Sequence, residues 1–183
     1  MSAQIAPFAV LSDIAKRSKS FAKGLPAQKE AVELWNGIGF TLAGENFVAP
    51  MGEVIEILHL PRVTQIPGVK NWMLGLANVR GRLLPVMDLG HFFNLTKTSM
   101  SSRDKRVLVV EHGEVLSGLV VDSVQGMQYF AADGFQSTVE NVNRSMAPFI
   151  NGAYTKNNET WKVFSAFTFT EAPDFMNLSL WGS

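Results

Sequence analysis

The chain has 183 residues, 46% of them hydrophobic, with 16 basic and 16 acidic side chains that cancel to zero net charge. That length bounds it to one domain or two small lobes, which would bury roughly 70% of the unfolded surface without staples. A balanced charge offers no global attraction to nucleic acid or an anionic membrane, and the lack of cysteine excludes disulfides, thiolate catalysis and cysteine-based metal sites.

Charged residues make up only 17%, and a sparsely charged, neutral surface favours association with other proteins. His59, His91 and His112 lie 32 and 21 residues apart, too scattered for a local metal motif. Residues 1–13 lack a basic leader, Pro7 and Asp13 interrupt their apolar stretch, and no run approaches the roughly 18 apolar residues of a membrane span. The expected compartment is the cytoplasm, with no direct membrane insertion.

At the start, Phe8, Leu11, Ala15, Ser18, Ala22 and Leu25 recur at steps of three and four, which predicts an amphipathic helix. Lys16, Lys19 and Lys23 crowd its other side, and Gly24-Leu25-Pro26 ends it. Its apolar face suits docking on the main domain, a partner or a membrane surface. Another helical turn or two is expected over 27–35.

From Ile38 the apolar period becomes two. Ile38, Phe40 and Leu42 form one strand, Gly44-Glu45-Asn46 a turn, and residues 47–51 the returning strand, with Pro50 marking an edge or bulge. Val54-Ile55-Glu56-Ile57-Leu58 continues as strand or a turn of helix. Residues 72–79 and 83–87 make a clearer hairpin bent at Arg80-Gly81, and Asp88 is placed to cap a short helix reaching Leu95. Residues 96–105 read as a polar loop. A third hairpin joins 107–110 to 115–121 around His112-Gly113, and a last pair, 150–154 and 161–169, flanks Asn157-Asn158. Short strands at this spacing predict a mostly β protein, barrel or sandwich.

Catalytic motifs do not emerge from the residues. No Gly-x-Ser-x-Gly elbow occurs, and the Gly75 to Gly81 stretch has Arg82-Leu83 where a phosphate loop needs Lys-Ser/Thr. Glu53 and Glu56 read as a solvated edge; Asp88 and Asp122, each after an apolar strand, read as caps. No enzyme, cofactor or metal is predicted. What stands out is one strong donor on a glycine-bearing bend. Arg80 offers five N–H groups, Gly81 permits positive φ, Gly75 admits a close backbone, and Asn78 can satisfy bend amides. Arg80 either tethers its own hairpin or meets a partner's carboxylate or carbonyls.

The stretch Leu74-Gly75-Leu76-Ala77-Asn78-Val79-Arg80-Gly81-Arg82-Leu83-Leu84-Pro85-Val86-Met87-Asp88-Leu89 resembles the CheW family of chemotaxis coupling proteins. In that family a strand ends in Gly-x-x-Asn-x-Arg-Gly and the next in Pro-x-x-Asp-Leu. Phe40-Thr41-Leu42, Ile66-Pro67-Gly68 and Gly118-Leu119-Val120-Val121-Asp122 extend the similarity. The Gly-Leu-Pro helix end and Trp35-Asn36-Gly37-Ile38-Gly39-Phe40 look like its PilI branch, which serves type IV pili. The flagellar coupling protein, or an unrelated SH3-like barrel interaction module, is the alternative.

The resemblance implies two packed five-stranded SH3-like β-barrel lobes over 36–170, an added N-terminal helical extension over 1–35, and a tail over 171–183. It implies no enzyme activity and no cofactor. Its expected partners are the regulatory domain of a CheA-type histidine kinase and the cytoplasmic tip of a methyl-accepting chemoreceptor, met at receptor arrays. No nucleic acid is among them. Val54, Glu56, Gly75, Asn78, Arg80 and Gly81 are the implied coupling residues, with Val54 as apolar centre. The chain departs from the family over 164–169, where an acidic-apolar pair and short helix are usual. Phe175, Leu178, Leu180 and Trp181 make the tail too apolar to float freely; it either packs on the barrel or docks as a short peptide.

Overall fold

Ten strands follow one another from Leu34 in the computed structural model, which describes residues 11–12, 14–17, 33–95 and 104–177. The chain divides into two units, Met1–Val32 and Glu33–Ser183. In the first, residues 11–12 and 14–17 are helical; the rest of the predicted amphipathic helix lies outside the described residues.

The second unit holds β1 (Leu34–Leu42), β2 (Glu45–Pro50), β3 (Glu56–His59), β4 (Met73–Val79) and β5 (Arg82–Asp88). After the short helix α1 (Leu89–Phe92) come β6 (Arg106–His112), β7 (Val115–Val121), β8 (Ser123–Ala131), β9 (Ile150–Lys156) and β10 (Glu159–Phe164). Helices α2 (Ala166–Thr170) and α3 (Pro173–Met176) close the described chain. The strands form two five-stranded sheets, ordered β8-β1-β2-β10-β9 and β3-β6-β7-β5-β4. The mostly β, two-lobed expectation holds.

Both sheets share one plan. A tight hairpin (β1–β2 or β6–β7) is flanked by a single strand (β8 or β3), and its second strand runs parallel to the last strand of another hairpin (β9–β10 or β4–β5). Along the chain the order tight hairpin, flanking strand, second hairpin therefore occurs twice. Each sheet takes its tight hairpin from one half of the chain and its other strands from the other half. The details repeat as well: Gly75 and Gly152 both have positive φ (142° and 156°), and the next residue of each bridges a crossing segment, Leu76 to Thr64 and Ala153 to Gln136. The second hairpin of each half then runs into a capped short helix, α1 after Asp88 and α2 after Ser165.

Alternation sorts the side chains into three cores. The largest lies between the sheets, where Phe40, Leu42 and Phe47 meet Met87, Leu108 and Leu119 among Phe93, Phe149, Phe164 and Phe169. A smaller cluster fills each sheet's outer side: Leu84, Val86, Val107 and Val109 in one, Val48, Phe130, Tyr154 and Trp161 in the other. Burial raises the Tyr154 phenol pKa above its ordinary value.

Three expectations are corrected and one strand is added. Residues 34–35 extend β1 and are not helical, because Trp35 stacks on Tyr154 with ring centroids 4.9 Å apart. The strand β8 was absent from the predicted hairpins; Gly126 and the exposed Gln125, Met127 and Tyr129 mask a nine-residue strand that pairs along β1. The last strand stops at Phe164, since Ser165 Oγ accepts the Thr168 N–H at 3.2 Å and starts α2, so 165–169 is cap and helix. The helix after Asp88 spans only four residues, ended before Asn94, whose φ is 54°. The predicted loop lies outside the described residues over 96–103, as do Leu178, Leu180 and Trp181 of the tail. Phe175 is buried against Phe169, with centroids 5.0 Å apart.

Candidate binding surface

Strands β4 and β5 meet in a two-residue turn in which Arg80 and Gly81 both have positive φ, 53° and 80°. This handedness matches the twist of paired strands and normally selects Asn or Gly at the first position. Arginine there is held by its neighbours. Asn78 Oδ1 accepts the Gly81 N–H at 3.0 Å, and Arg80 Nη2 donates to Glu56 Oε1 at 2.7 Å. The pair is lopsided: the Arg80 side chain is 79% exposed and that of Glu56 24%. Glu56 thus anchors the guanidinium at one side and leaves most of its donors facing solvent.

A second pair stands beside the first. Arg82 donates to both carboxylate oxygens of Glu111, at 2.7 and 3.3 Å. That hydrogen bonding lowers the Glu111 pKa and raises the Arg82 pKa from their ordinary values. Beside Glu56, Arg80 and Arg82, the apolar Ile55, Val79, Leu84, Val109 and Leu116 line a cleft of about 270 Å³. Apolar lining edged by these three charged side chains is suited to a polypeptide whose apolar side chain enters while polar groups meet the rim.

The six implied residues divide. Glu56, Asn78, Arg80 and Gly81 come together at this end of the sheet. Gly75 sits in the interior of β4, where a Cβ would lie 2.2 Å from the Thr64 carbonyl oxygen. The close backbone is therefore this chain's own: Thr64 and Leu76 exchange hydrogen bonds of 2.8 and 2.9 Å across it. Val54 is half-buried and packs on the main core, whereas Ile55 is 52% exposed beside the cleft. Ile55, Arg82, Glu111 and Leu116 escaped the sequence reading. Arg82 had a signal, its place directly after the bend, but Glu111 and Leu116 enter only through the β6–β7 register.

Residues 36–170 match the model of the CheW-like domain. The chain belongs to that family. It is 49% identical to Protein PilI of Pseudomonas aeruginosa across 95% of this chain and 97% of that protein. It is 31% identical to the chemotaxis protein CheW of Helicobacter pylori over 61% of this chain and 67% of that one. Among solved structures, the scaffolding protein TtCheW from Thermoanaerobacter tengcongensis shares the fold with a TM-score of 0.67 at 23% identity, covering 78% of this chain and 96% of that one.

Proposed function

We propose that the chain is a non-catalytic adaptor that couples methyl-accepting chemoreceptors to a CheA-type histidine kinase in the pathway controlling type IV pili and twitching motility. Membership of the CheW-like family supports the coupling role, and 49% identity to Protein PilI over 95% of the chain supports the pilus branch. The observation that carries the binding surface is Arg80, exposed on a strained turn and held by Glu56 above an apolar cleft. In this reading residues 36–170 are the coupling domain, 1–35 an extension and 171–183 a tail. The protein works in the cytoplasm at receptor arrays, and no helix among the described residues is long and apolar enough to cross a membrane. Calorimetric titration with the kinase regulatory domain, then with a receptor-tip fragment, tests it. Binding of both, with the second still binding after the first is saturated, is the expected result; binding of neither contradicts the reading.

A further inference from the structure

We propose that Glu53 is a positioning residue, whose carboxylate ties the link between the two sheets to α2 and thereby holds Glu56 against Arg80. The functional consequence rests on the receptor-binding reading of that pair. Only residues 51–55 separate β2 of one sheet from β3 of the other, and Glu56 begins β3. A link so short transmits any movement at its middle to the residues that follow it.

Glu53 sits at that middle. Its N–H donates to the Pro50 carbonyl at 3.2 Å, which folds the link back on β2. Its side chain accepts three bonds from the start of α2: the Ala166 N–H at 2.6 Å, the Phe167 N–H at 3.2 Å and the Ser165 hydroxyl at 3.2 Å. Ser165 and Ala166 are buried, so these bonds meet little competition from water. Two residues on, the Ile55 N–H donates to Val109 on β6 at 2.9 Å, which fixes the link to the second sheet. The side chains of α2 hold it as well, with the His112 ring stacked on Phe167 at 4.2 Å and Phe169 in the main core.

The two short helices show what the Glu53 oxygens supply. At α1 the cap is Asp88, an acid on the preceding strand, whose Oδ1 accepts the His91 N–H at 3.0 Å. At the equivalent place before α2 stands the neutral Ser165, and the acid comes from Glu53, 112 residues away in sequence. Supplying a helix's first N–H groups with negative charge satisfies them and suits their dipole. Here the donor of that charge is the segment that leads into the binding surface. The local need of α2 thus sets where Ile55 and Glu56 stand.

The full-length protein decides the matter through Glu53→Ala, with the milder Glu53→Gln, which keeps an oxygen for the Ala166 N–H. In Glu53→Ala the Ile55 amide is expected to exchange about tenfold faster, and receptor-tip affinity to fall about tenfold with kinase-domain affinity unchanged. Glu53→Gln should recover most of both. In an Arg80→Ala background, Glu53→Ala should cost clearly less receptor affinity than it does alone, the remaining loss coming from displacement of Ile55. Unchanged Ile55 exchange, or affinity losses that add fully to Arg80→Ala, overturns the proposal. If the unaltered protein binds no receptor tip, the functional reading fails, while Ile55 exchange still decides whether Glu53 positions the link.

Discussion

Arg80 adopts a left-handed backbone at φ 53°, a cost that glycine or asparagine would largely avoid, while its guanidinium stays largely solvated. An exposed ion pair contributes about 0–1 kcal/mol, too little to make a structural tether a strong reason for arginine at this bend. Arg80→Glu is therefore expected to lower stability by no more than about 1 kcal/mol in chemical denaturation and to abolish receptor-tip binding. The charge swap Arg80→Glu with Glu56→Arg should restore the stability without restoring binding. Recovery of both would mean that the partner reads the pair's geometry alone. The neighbouring pair gives a pH test. Glu111 has a lowered pKa in the folded protein, so its contribution is complete above its unfolded pKa and is lost as pH falls through the folded value. Arg82→Gln should accordingly narrow the gap between melting temperatures at neutral and acid pH. An unaltered gap would show that Glu111 gains nothing from Arg82.

Among the elements, β4 shows how a motif can be legible while its purpose is not. The run from Gly75 to Gly81 was visible in sequence, and so was the need for a close backbone at Gly75. That the backbone belongs to Thr64 depends on a crossing segment with no periodicity of its own. Gly75→Ala would meet the Thr64 oxygen at 2.2 Å and force alanine to φ 142°, so it should destabilise the fold by at least about 1–3 kcal/mol in urea titration. A neutral result would assign Gly75 to partner contact instead. The hairpins β1–β2 and β4–β5 were legible because each alternates and turns on a glycine, and β6–β7 because two continuous apolar runs flank Gly113. Strand β8 was not, since its exposed Gln125, Met127 and Tyr129 and its Gly126 break the apolar rhythm. Phe164, Phe167 and Phe169 misled in the other direction: their spacing suits a strand nearly as well as a helix, and only the Ser165 and Glu53 caps decide it.

At the scale of the molecule, exchanged hairpins and a shared core of phenylalanines bind the two sheets into one body within Glu33–Ser183. Residues 1–30 precede the first strand, so their deletion should leave a cooperatively folded protein with a sharp thermal transition. A molten product would show that the extension completes a core. Coupling two partners requires two surfaces on this body that can be damaged separately. Ile55 is the apolar residue exposed at the cleft, whereas the half-buried Val54 would report stability as much as binding. The most direct test is therefore calorimetry on Ile55→Glu with the receptor-tip fragment and the kinase regulatory domain in separate titrations. Loss of receptor binding with kinase affinity retained is the predicted result; equal loss of both with the fold intact would mean one shared site and contradict the two-surface account.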